Sequence, residues 1–525
     1  MAFSTANRTL GSLLEYRAES AGDETFVIFD DLEGGTTRLS FGDLDAAANR
    51  TAHLLLDLGI QPGDRINLHL SNCLEFLYLW FGAAKAGIVI MPTNTQASVD
   101  ELQYLIDHSG SRLIFTQGEF EPTAREARQR CASVESVLLC GNKHGSKEFR
   151  ARLSEQPDTP PTAEPRSEDA VAIMYTSGTT AKPKGVLVTH ANYIYAGETV
   201  AKAIRLSPRD RHLTVLPLFH GNAQYYSTMS ALVTGASIAL MARFSASRYF
   251  TQAIAHGCTV ASLFAAPIRM ILAQPPSEAH RRNALRVVIF AQSVTESQLE
   301  EWEERFDAPL LQLWGMTETM GPPLMNPMDF ARNNMSIGFP VMGYEVALFD
   351  DEGSPVKPGE VGEIAVRGEP GWTLMKGYFN NPEATARTIR NGWLMSGDNA
   401  RQDAKGYFHF VDRAKDMIKR SGENVAASEV EAVILNHEAV FDCAVIGVPD
   451  PVRDEAIVAV VVLRQGKRLS GTEILEWCRQ RMARFRVPGH VVFTDALPRT
   501  SVGKIQKHLL RREYAGLAKG AADDQ

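Results

Sequence analysis

Short apolar runs alternate with amphipathic stretches along most of this 525-residue chain. Between residues 213 and 290 the apolar runs have the length of buried strands, and residues 295–306 have the spacing of a helix with one apolar face. The strand-like runs are residues 213–216, 237–241, 259–264 and 286–290. Strands that alternate with helices in this way are typical of layers around largely parallel sheets. The pattern predicts an α/β fold built from layered subdomains.

The pattern changes after Trp393, where shorter β-like runs at 407–411 and 457–463 accompany helix-like stretches at 427–436 and 471–484. A chain of this length is too long for one hydrophobic core, so at least two domains are expected. We predict a large N-terminal domain over residues 1–411, a hinge over 412–415 and a small α+β C-terminal domain over 416–525.

Composition is that of an ordinary globular protein, with 44% hydrophobic and 22% charged residues. The net charge of −8 argues against nucleic acid as a partner. The longest apolar stretch, residues 77–91, contains Lys85 and is shorter than the roughly 20 residues of a membrane span. Residues 1–20 lack the pattern of a secretory signal, and the scattered cysteines fit a reducing compartment. We expect a cytoplasmic protein with reduced cysteines and no membrane span.

Residues 175–186 read Tyr-Thr-Ser-Gly-Thr-Thr-Ala-Lys-Pro-Lys-Gly-Val and follow the apolar run 170–174. Glycines in such a loop let backbone N–H groups turn toward an anion, hydroxyls donate hydrogen bonds, and Lys184 adds a positive charge. Pro183 stands where the Walker A motif has its second glycine, and no Lys-Ser or Lys-Thr pair follows. The loop therefore predicts a nucleotide triphosphate site unlike that of P-loop kinases and GTPases.

Four further motifs follow this loop along the chain. They are Trp-Gly-Met-Thr-Glu at 314–318, Gly-Asp at 397–398, the stretch 411–425, and Pro-Arg-Thr-Ser-Val-Gly-Lys at 498–504. In this order the motifs resemble those of the adenylate-forming superfamily of acyl-CoA synthetases, peptide-synthetase adenylation domains and luciferases. The resemblance implies an AMP-forming acid–thiol ligase with a large domain that binds ATP and the acid. Such an enzyme converts a carboxylic acid and ATP to an acyl-adenylate and pyrophosphate, then transfers the acyl group to coenzyme A.

The resemblance assigns residues to the phosphates and to Mg²⁺. Those for the β and γ phosphates are Thr176, Ser177, Gly178, Thr179, Thr180 and Lys184. Ala181 departs from the glycine that is more usual in this loop. Thr317 is assigned to a phosphate oxygen and Glu318 to the metal. Mg²⁺ usually keeps several waters, so one or two carboxylates beside the phosphates are enough.

The resemblance also assigns the nucleoside and the moving parts. Trp314 takes the place of the aromatic residue that lies against adenine, and Asp398 and Arg413 are the ribose contacts. Lys415 occupies the hinge position, about which the small domain rotates between the two reactions.

Two residues of the small domain are assigned to different reactions. Lys504 resembles the lysine that reaches the substrate carboxylate and the α-phosphate during adenylation. A charge brought to about 4 Å at an effective dielectric near 20 contributes roughly 4 kcal/mol. During thioester formation the segment that contains Gly422 replaces it, and the glycine lets the pantetheine arm pass close to the backbone.

The acid is expected in a pocket near His220, which is assigned to the acyl group and to admission of the thiol. The other pocket residues implied by the resemblance are Tyr225, Gln292, Gly315, Met316 and Met320. This wall is largely apolar and aromatic, which suits a medium or bulky apolar or aromatic acid. No aspartate occurs in residues 218–222, where adenylation domains usually clamp an amino group, and this disfavours a free α-amino acid. Segments 213–220, 419–425 and 453–457 also resemble crotonobetaine/carnitine-CoA ligases, whose quaternary ammonium an aromatic wall can hold.

Several alternatives share these motifs. The acyl group could pass to the pantetheine of a carrier protein, or the protein could perform mainly one half-reaction. An inert binding relative would retain the fold but show no acid-dependent pyrophosphate exchange. Glu318, Asp398, Arg413 and Lys504 are all present, which argues for an enzyme. A homodimer is a further open expectation.

Overall fold

A computed structural model describes residues 8–176, 182–329, 331–350, 352–413, 416–420, 423–450, 454–499 and 505–517. Side chains are described in these ranges except at residues 142–146, 413 and 423–424. All statements on the fold refer to these parts of the chain.

The strands are short and mostly apolar. In chain order they are β1 Thr25–Asp30, β2 Thr36–Ser40, β3 Arg65–His69, β4 Val89–Pro92, β5 Leu113–Thr116, β6 Ser136–Leu139, β7 Ala170–Thr176, β8 Lys184–Thr189, β9 Arg211–Thr214, β10 Ser237–Met241, β11 Val260–Phe264, β12 Val287–Ala291, β13 Leu310–Met316, β14 Gly321–Met325, β15 Phe339–Pro340, β16 Glu345–Phe349, β17 Val361–Arg367, β18 Gly377–Tyr378, β19 Ile389–Arg390, β20 Trp393–Gln402, β21 Phe408–Arg413, β22 Met417–Arg420, β23 Glu423–Ala426, β24 Val440–Asp450, β25 Asp454–Leu463 and β26 His490–Phe493.

The helices lie between these strands. The α-helices are α1 Leu10–Ala21, α2 Phe41–Asp57, α3 Leu74–Lys85, α4 Val99–Ser109, α5 Glu121–Arg130, α6 Asn142–Ser154, α7 His190–Ala203, α8 Ser230–Thr234, α9 Tyr249–Ala255, α10 Ala265–Leu272, α11 Glu296–Phe306, α12 Pro382–Thr388, α13 Ala427–Leu435, α14 Gly471–Arg479 and α15 Lys507–Glu513. A π-helix spans Asn222–Met229, and 3₁₀ turns span Glu278–Arg282, Thr317–Thr319 and Arg484–Arg486.

Two large sheets form the centre of the N-terminal part. In the described residues, one has the strand order β15-β14-β13-β12-β11-β9-β10-β1-β2, and its six inner strands from β13 to β1 are parallel. The other has the order β18-β8-β7-β4-β3-β5-β6, with β7 to β6 parallel and β8 and β18 antiparallel at one edge. The predicted parallel α/β layers are confirmed.

Two smaller sheets follow. The strands β16, β17, β20, β19 and β21 form an antiparallel sheet, and β23, β22, β25, β24 and β26 form the last one. The main apolar core contains residues from Leu10 to Phe408, whereas two further cores contain only residues from Ile418 onward. The C-terminal part therefore has its own hydrophobic core, as the predicted small α+β domain requires.

Local side chains explain where two predicted elements begin or end. The predicted helix at 295–306 begins at Glu296, because the Thr295 hydroxyl accepts the Gln298 N–H at 3.2 Å. The strand predicted at 213–216 lies at 211–214 instead. Its continuation is diverted because the Asn72 amide donates to Leu216 O at 3.1 Å and accepts Leu218 N–H at 2.7 Å. That diversion places the residues before His220 in a loop at the sheet edge.

Among the described helices, none combines the length and the apolar character that a bilayer crossing requires. All six cysteines are buried thiols.

Candidate active site

The predicted phosphate loop joins two paired strands. Thr176 ends β7 and Lys184 begins β8, and the two residues face each other across the antiparallel pair. Lys184 Nζ lies 4.6 Å from the centre of the Tyr378 ring, within the range of a cation–π contact. Thr176 and Lys184 therefore lie together at one sheet edge, on either side of residues 177–181.

Glu318 lies beside this edge and is only 5% exposed. It follows Thr317 in the 3₁₀ turn after β13. Its Oε1 accepts the Tyr378 hydroxyl at 3.0 Å and the Thr176 hydroxyl at 3.4 Å. Burial and the adjacent Glu318 raise the pKa of Tyr378, so this phenol stays protonated and donates. The structure thus joins the predicted phosphate loop to the predicted metal ligand.

The residues predicted for the nucleoside also meet. The Trp314 indole N–H donates to Asp398 Oδ2 at 2.9 Å, and both side chains are buried. Asp398 in β20 is the register partner of Arg413 in β21. The end of β13 and the β20–β21 pair therefore share one side of the site.

His220 and Tyr225 lie around the start of the π-helix. The His220 ring stacks at a tilt on Phe219, with 4.7 Å between ring centres. In the described residues, neither polar atom of the buried Asn222 amide has a hydrogen-bond partner, and the buried Tyr225 hydroxyl has none. Since buried polar groups are normally paired, this arrangement is suited to a ligand that supplies a polar partner.

The remaining predicted pocket residues surround Gly315. A Cβ at Gly315 would lie 2.5 Å from Gly321 O and 2.8 Å from the Tyr226 hydroxyl, so only glycine fits. Met316 is half-buried next to it, and Met320 is buried with a φ of +52°. The Tyr344 hydroxyl lies 3.1 Å from Thr319 O and 2.9 Å from Met320 O. These hydrogen bonds to the backbone hold that turn.

Gln292 follows the end of β12 with a φ of +74°, a rare conformation for a residue other than glycine. Its carbonyl accepts the Gln312 side-chain amide at 3.3 Å, which ties the residue after β12 to the neighbouring strand β13. Backbone held in a sparsely populated conformation is typical of functional sites.

A cavity of about 390 Å³ lies next to this pocket, between the large and small domains. Phe219 forms part of its wall on the pocket side. Its charged lining residues are Arg243, Arg269, Asp442 and Arg499.

Ser177, Gly178, Thr179, Thr180, Lys415, Gly422 and Lys504 lie outside the described residues, and the Arg413 side chain is likewise not described. Their predicted roles stay predictions.

The comparisons with known proteins agree with this geometry. The AMP-binding enzyme family matches residues 14–379, and the AMP-binding enzyme C-terminal domain matches residues 429–504. The chain belongs to the AMP-binding enzyme family. A crotonobetaine/carnitine–CoA ligase from Salmonella agona (strain SL483) is 38% identical over 497 residues, which are 93% of this chain and 96% of the relative.

Solved structures of family members resemble the whole chain. The anthranilate CoA ligase AuaEII in complex with anthranoyl-AMP has a TM-score of 0.89 at 27% identity and covers 98% of both chains. MatB from Rhodopseudomonas palustris has a TM-score of 0.88 in its ATP-bound form and 0.76 in its apo form, each at 27% identity over 98% of this chain and 100% of MatB. These findings confirm the predicted adenylate-forming superfamily, the fold class and an AMP-forming acid–CoA ligase.

In this family member, sequence reasoning missed Tyr378 and Asn222. Tyr378 is 60 positions from Glu318, and no motif joined the two residues. At position 222 the sequence shows the absence of an aspartate, but an amide two positions after His220 is itself a polar signal.

Proposed function

We propose that this AMP-forming acid–CoA ligase uses one site for both steps, with Glu318 as the Mg²⁺ ligand and with the roles predicted above for the site residues. The supporting observation is the buried cluster in which Glu318, Thr176 and Tyr378 meet at the edge that also presents Lys184. A carboxylate beside the hydroxyl that precedes a phosphate loop and the lysine that follows it is suited to a metal–triphosphate complex.

In the first step, a carboxylate oxygen of the acid attacks the α-phosphorus of ATP, and the bond to the bridging oxygen of pyrophosphate breaks. The products are the acyl-adenylate and pyrophosphate. Trp314 and Asp398 orient the nucleoside, while Lys504 offsets charge at the α-phosphate. Mg²⁺ at Glu318 would supply charge stabilisation to the phosphates, which is the main contribution available in phosphoryl transfer.

In the second step, the thiol of coenzyme A attacks the acyl carbon, loses its proton, and AMP leaves. The large-domain wall of the cavity, which includes Phe219 beside His220, is suited to face the pantetheine arm, because it lies at the domain junction and stays in place when the small domain rotates. Rotation of the small domain about residues 412–415 would bring Gly422 to this wall. The separate apolar cores on either side of that segment support a hinge there.

For the acid, we propose a medium-sized molecule with an apolar or aromatic body and a hydrogen-bonding group. The buried amide of Asn222 and the buried hydroxyl of Tyr225 are the groups that would meet it. The second candidate is an acid with a quaternary ammonium, favoured by the 38% identical crotonobetaine/carnitine–CoA ligase. Asn222 carries no charge, so the aromatic rings alone would have to hold such a cation.

The experiment is a panel of acids scored by pyrophosphate release, with no acceptor, with coenzyme A, and with a holo carrier protein. The panel contains benzoates and medium-chain acids with and without hydroxyl groups, crotonobetaine and carnitine. Acid-dependent release, with thioester formed on free coenzyme A, is expected. Pyrophosphate release without an acid, or no release with any acid, would contradict the proposal. Thioester formed only on the carrier protein would identify the carrier protein, and not coenzyme A, as the acceptor.

Asn222→Asp separates the two substrate candidates, because it keeps the shape and adds a negative charge. If the acid is neutral apart from its carboxylate, the variant should lose activity about five- to 150-fold, as for one lost hydrogen bond of about 1 to 3 kcal/mol. A gain with carnitine or crotonobetaine would instead favour the cationic substrate class. Ser227→Ala in the same π-helix is the control, since it removes a hydroxyl from another buried position and leaves the Asn222 amide and the Tyr225 hydroxyl in place.

A further inference from the structure

One buried ion pair crosses between the two domains. Arg269 lies in α10 of the large domain, and Asp442 lies in β24 of the small domain. Arg269 Nη2 is 3.8 Å from Asp442 Oδ1, and the two side chains are 10% and 8% exposed. Exposed ion pairs contribute little, but a pair buried to this extent is poorly screened by water.

Asp442 has a second cationic partner, Arg499, within the small domain. Arg499 pairs with Ile505 across an antiparallel bridge, and Gln506 N–H donates to Pro498 O at 2.8 Å. This bridge joins the two described residues that flank positions 500–504 in the sequence. A continuous set of contacts leads from α10 of the large domain through Asp442 to these flanking residues.

The position of this pair makes it sensitive to domain orientation. Rotation of the small domain would carry Asp442 and Arg499 away together, since both belong to it, and would leave Arg269 without its acidic partner. The attraction between the two charges exists only in the orientation that brings Arg269 and Asp442 together. Arg269 therefore favours the orientation that the structure shows. Over the whole chain, the structure resembles ATP-bound MatB, with a TM-score of 0.88, more than apo MatB, with a TM-score of 0.76.

We propose that Arg269 is a positioning residue that, through Asp442 and its partner Arg499, holds the small domain in the orientation used for adenylation. This inference rests on the two-step function proposed above. According to this inference, the contact between Arg269 and Asp442 must break before the thiol step begins. Both residues line the cavity at the domain junction.

The test is Arg269→Met, which removes the charge and keeps most of the length. Asp442 retains Arg499 in this variant, so no uncompensated carboxylate is created. The rate of acid-dependent pyrophosphate exchange should fall by about five- to 150-fold, the usual range of coupling between two states. The rate of thioester formation from a supplied acyl-adenylate and coenzyme A should stay within about twofold or rise, since the competing orientation is released.

Arg305→Met is the matched control. Arg305 is also a largely buried arginine. It donates to the Leu272 and Gln274 carbonyls at and after the end of α10 and pairs with Glu301, and all three residues belong to the large domain. Both half-reactions should change equally in this control. If Arg269→Met does not fold, Arg269→Gln replaces it, since the amide removes the charge and keeps a polar group beside Asp442; the same changes in the two half-reactions are expected.

A substrate-free measurement separates failure of this inference from failure of the proposed function. Fluorophores on Met342→Cys and Lys467→Cys, at exposed sites in the large and small domains, report the orientation by energy transfer. The native cysteines are buried and do not compete for the label. Arg269→Met should shift the distribution of transfer efficiencies in the protein without nucleotide.

Three results would overturn the inference. The first is an unchanged transfer distribution. The second is an equal loss in the two half-reactions of Arg269→Met. The third is unchanged adenylation with a raised KM for coenzyme A, which would make Arg269 a contact for that substrate instead.

Discussion

Removal of one hydroxyl, in Tyr378→Phe, tests the core of the site. The Tyr378 hydroxyl donates to Glu318 Oε1 at 3.0 Å, and Glu318 is 5% exposed. Phenylalanine keeps the ring under Lys184, so the cation–π contact at 4.6 Å survives in the variant. The substitution therefore isolates the hydrogen bond that orients the predicted metal ligand.

The expected magnitude follows from the charge of the acceptor. A hydrogen bond to a charged group contributes about 1.5 to 3 kcal/mol, twice or more what a neutral pair does. The Thr176 hydroxyl remains, but at 3.4 Å it is a weaker donor to the same oxygen. If this whole contribution is lost from the adenylation transition state, the rate of adenylation falls about ten- to 150-fold.

The assay is acid-dependent pyrophosphate exchange over a range of Mg²⁺ concentrations, with thioester formation from a supplied acyl-adenylate measured in parallel. Tyr378→Phe should require more Mg²⁺ for half-maximal exchange, and the second step should change little. Tyr407→Phe is the control, because it removes the hydroxyl of a buried tyrosine that donates to the Ala331 carbonyl, and neither residue is assigned to the site. Exchange in Tyr378→Phe within twofold of that control, at every Mg²⁺ concentration, would refute the role given to Glu318.

Two further predictions concern the small domain and the core. Lys504→Ala should depress adenylation about a thousandfold, the equivalent of roughly 4 kcal/mol, and spare thioester formation from a supplied acyl-adenylate; equal losses would contradict its role. Burial lowers the pKa of His190 to about 4 and that of His212 to about 3, so below pH 6.5 the unfolded chain binds protons that the folded chain excludes. The free energy of unfolding should therefore decrease from pH 6.5 toward pH 4 by up to about 1.4 kcal/mol per pH unit for each histidine. Urea titrations of His212→Gln should show a shallower decrease, and an identical pH dependence in variant and parent would disprove this assignment.

The features that the sequence predicted depend on local chemistry. Glycine, hydroxyl and lysine residues in 175–186 indicate a phosphate loop without knowledge of the rest of the fold. The strands of the parallel sheets were found because each is a short apolar run, and the ends of β10 match the predicted run at 237–241. Thr176, Gln292 and Glu318 lie at or just after the carboxyl ends of strands. Proteins with α/β sheets commonly bind ligands there.

The features that the sequence did not predict depend on long-range contacts. Trp314 and Asp398 are 84 positions apart, and each fits its motif without indicating that the indole donates to the carboxylate. The π-helix at Asn222–Met229 has no regular apolar period, so its sequence does not distinguish it from an α-helix. The ion pair between Arg269 and Asp442 depends on how two separately folded parts meet, which no pattern within either part determines.

Two buried carboxylates in this molecule are compensated in opposite ways. Asp442 lies between two guanidinium groups, so its charge is neutralised by the protein and serves to fix an orientation. Among the residues that the structure describes, the side-chain donors to Glu318 are neutral hydroxyls, from Tyr378 and Thr176. Neutral donors orient a carboxylate without cancelling its charge, so its attraction for a cation is retained. This contrast is the physical reason to assign the metal to Glu318 and the domain orientation to Asp442.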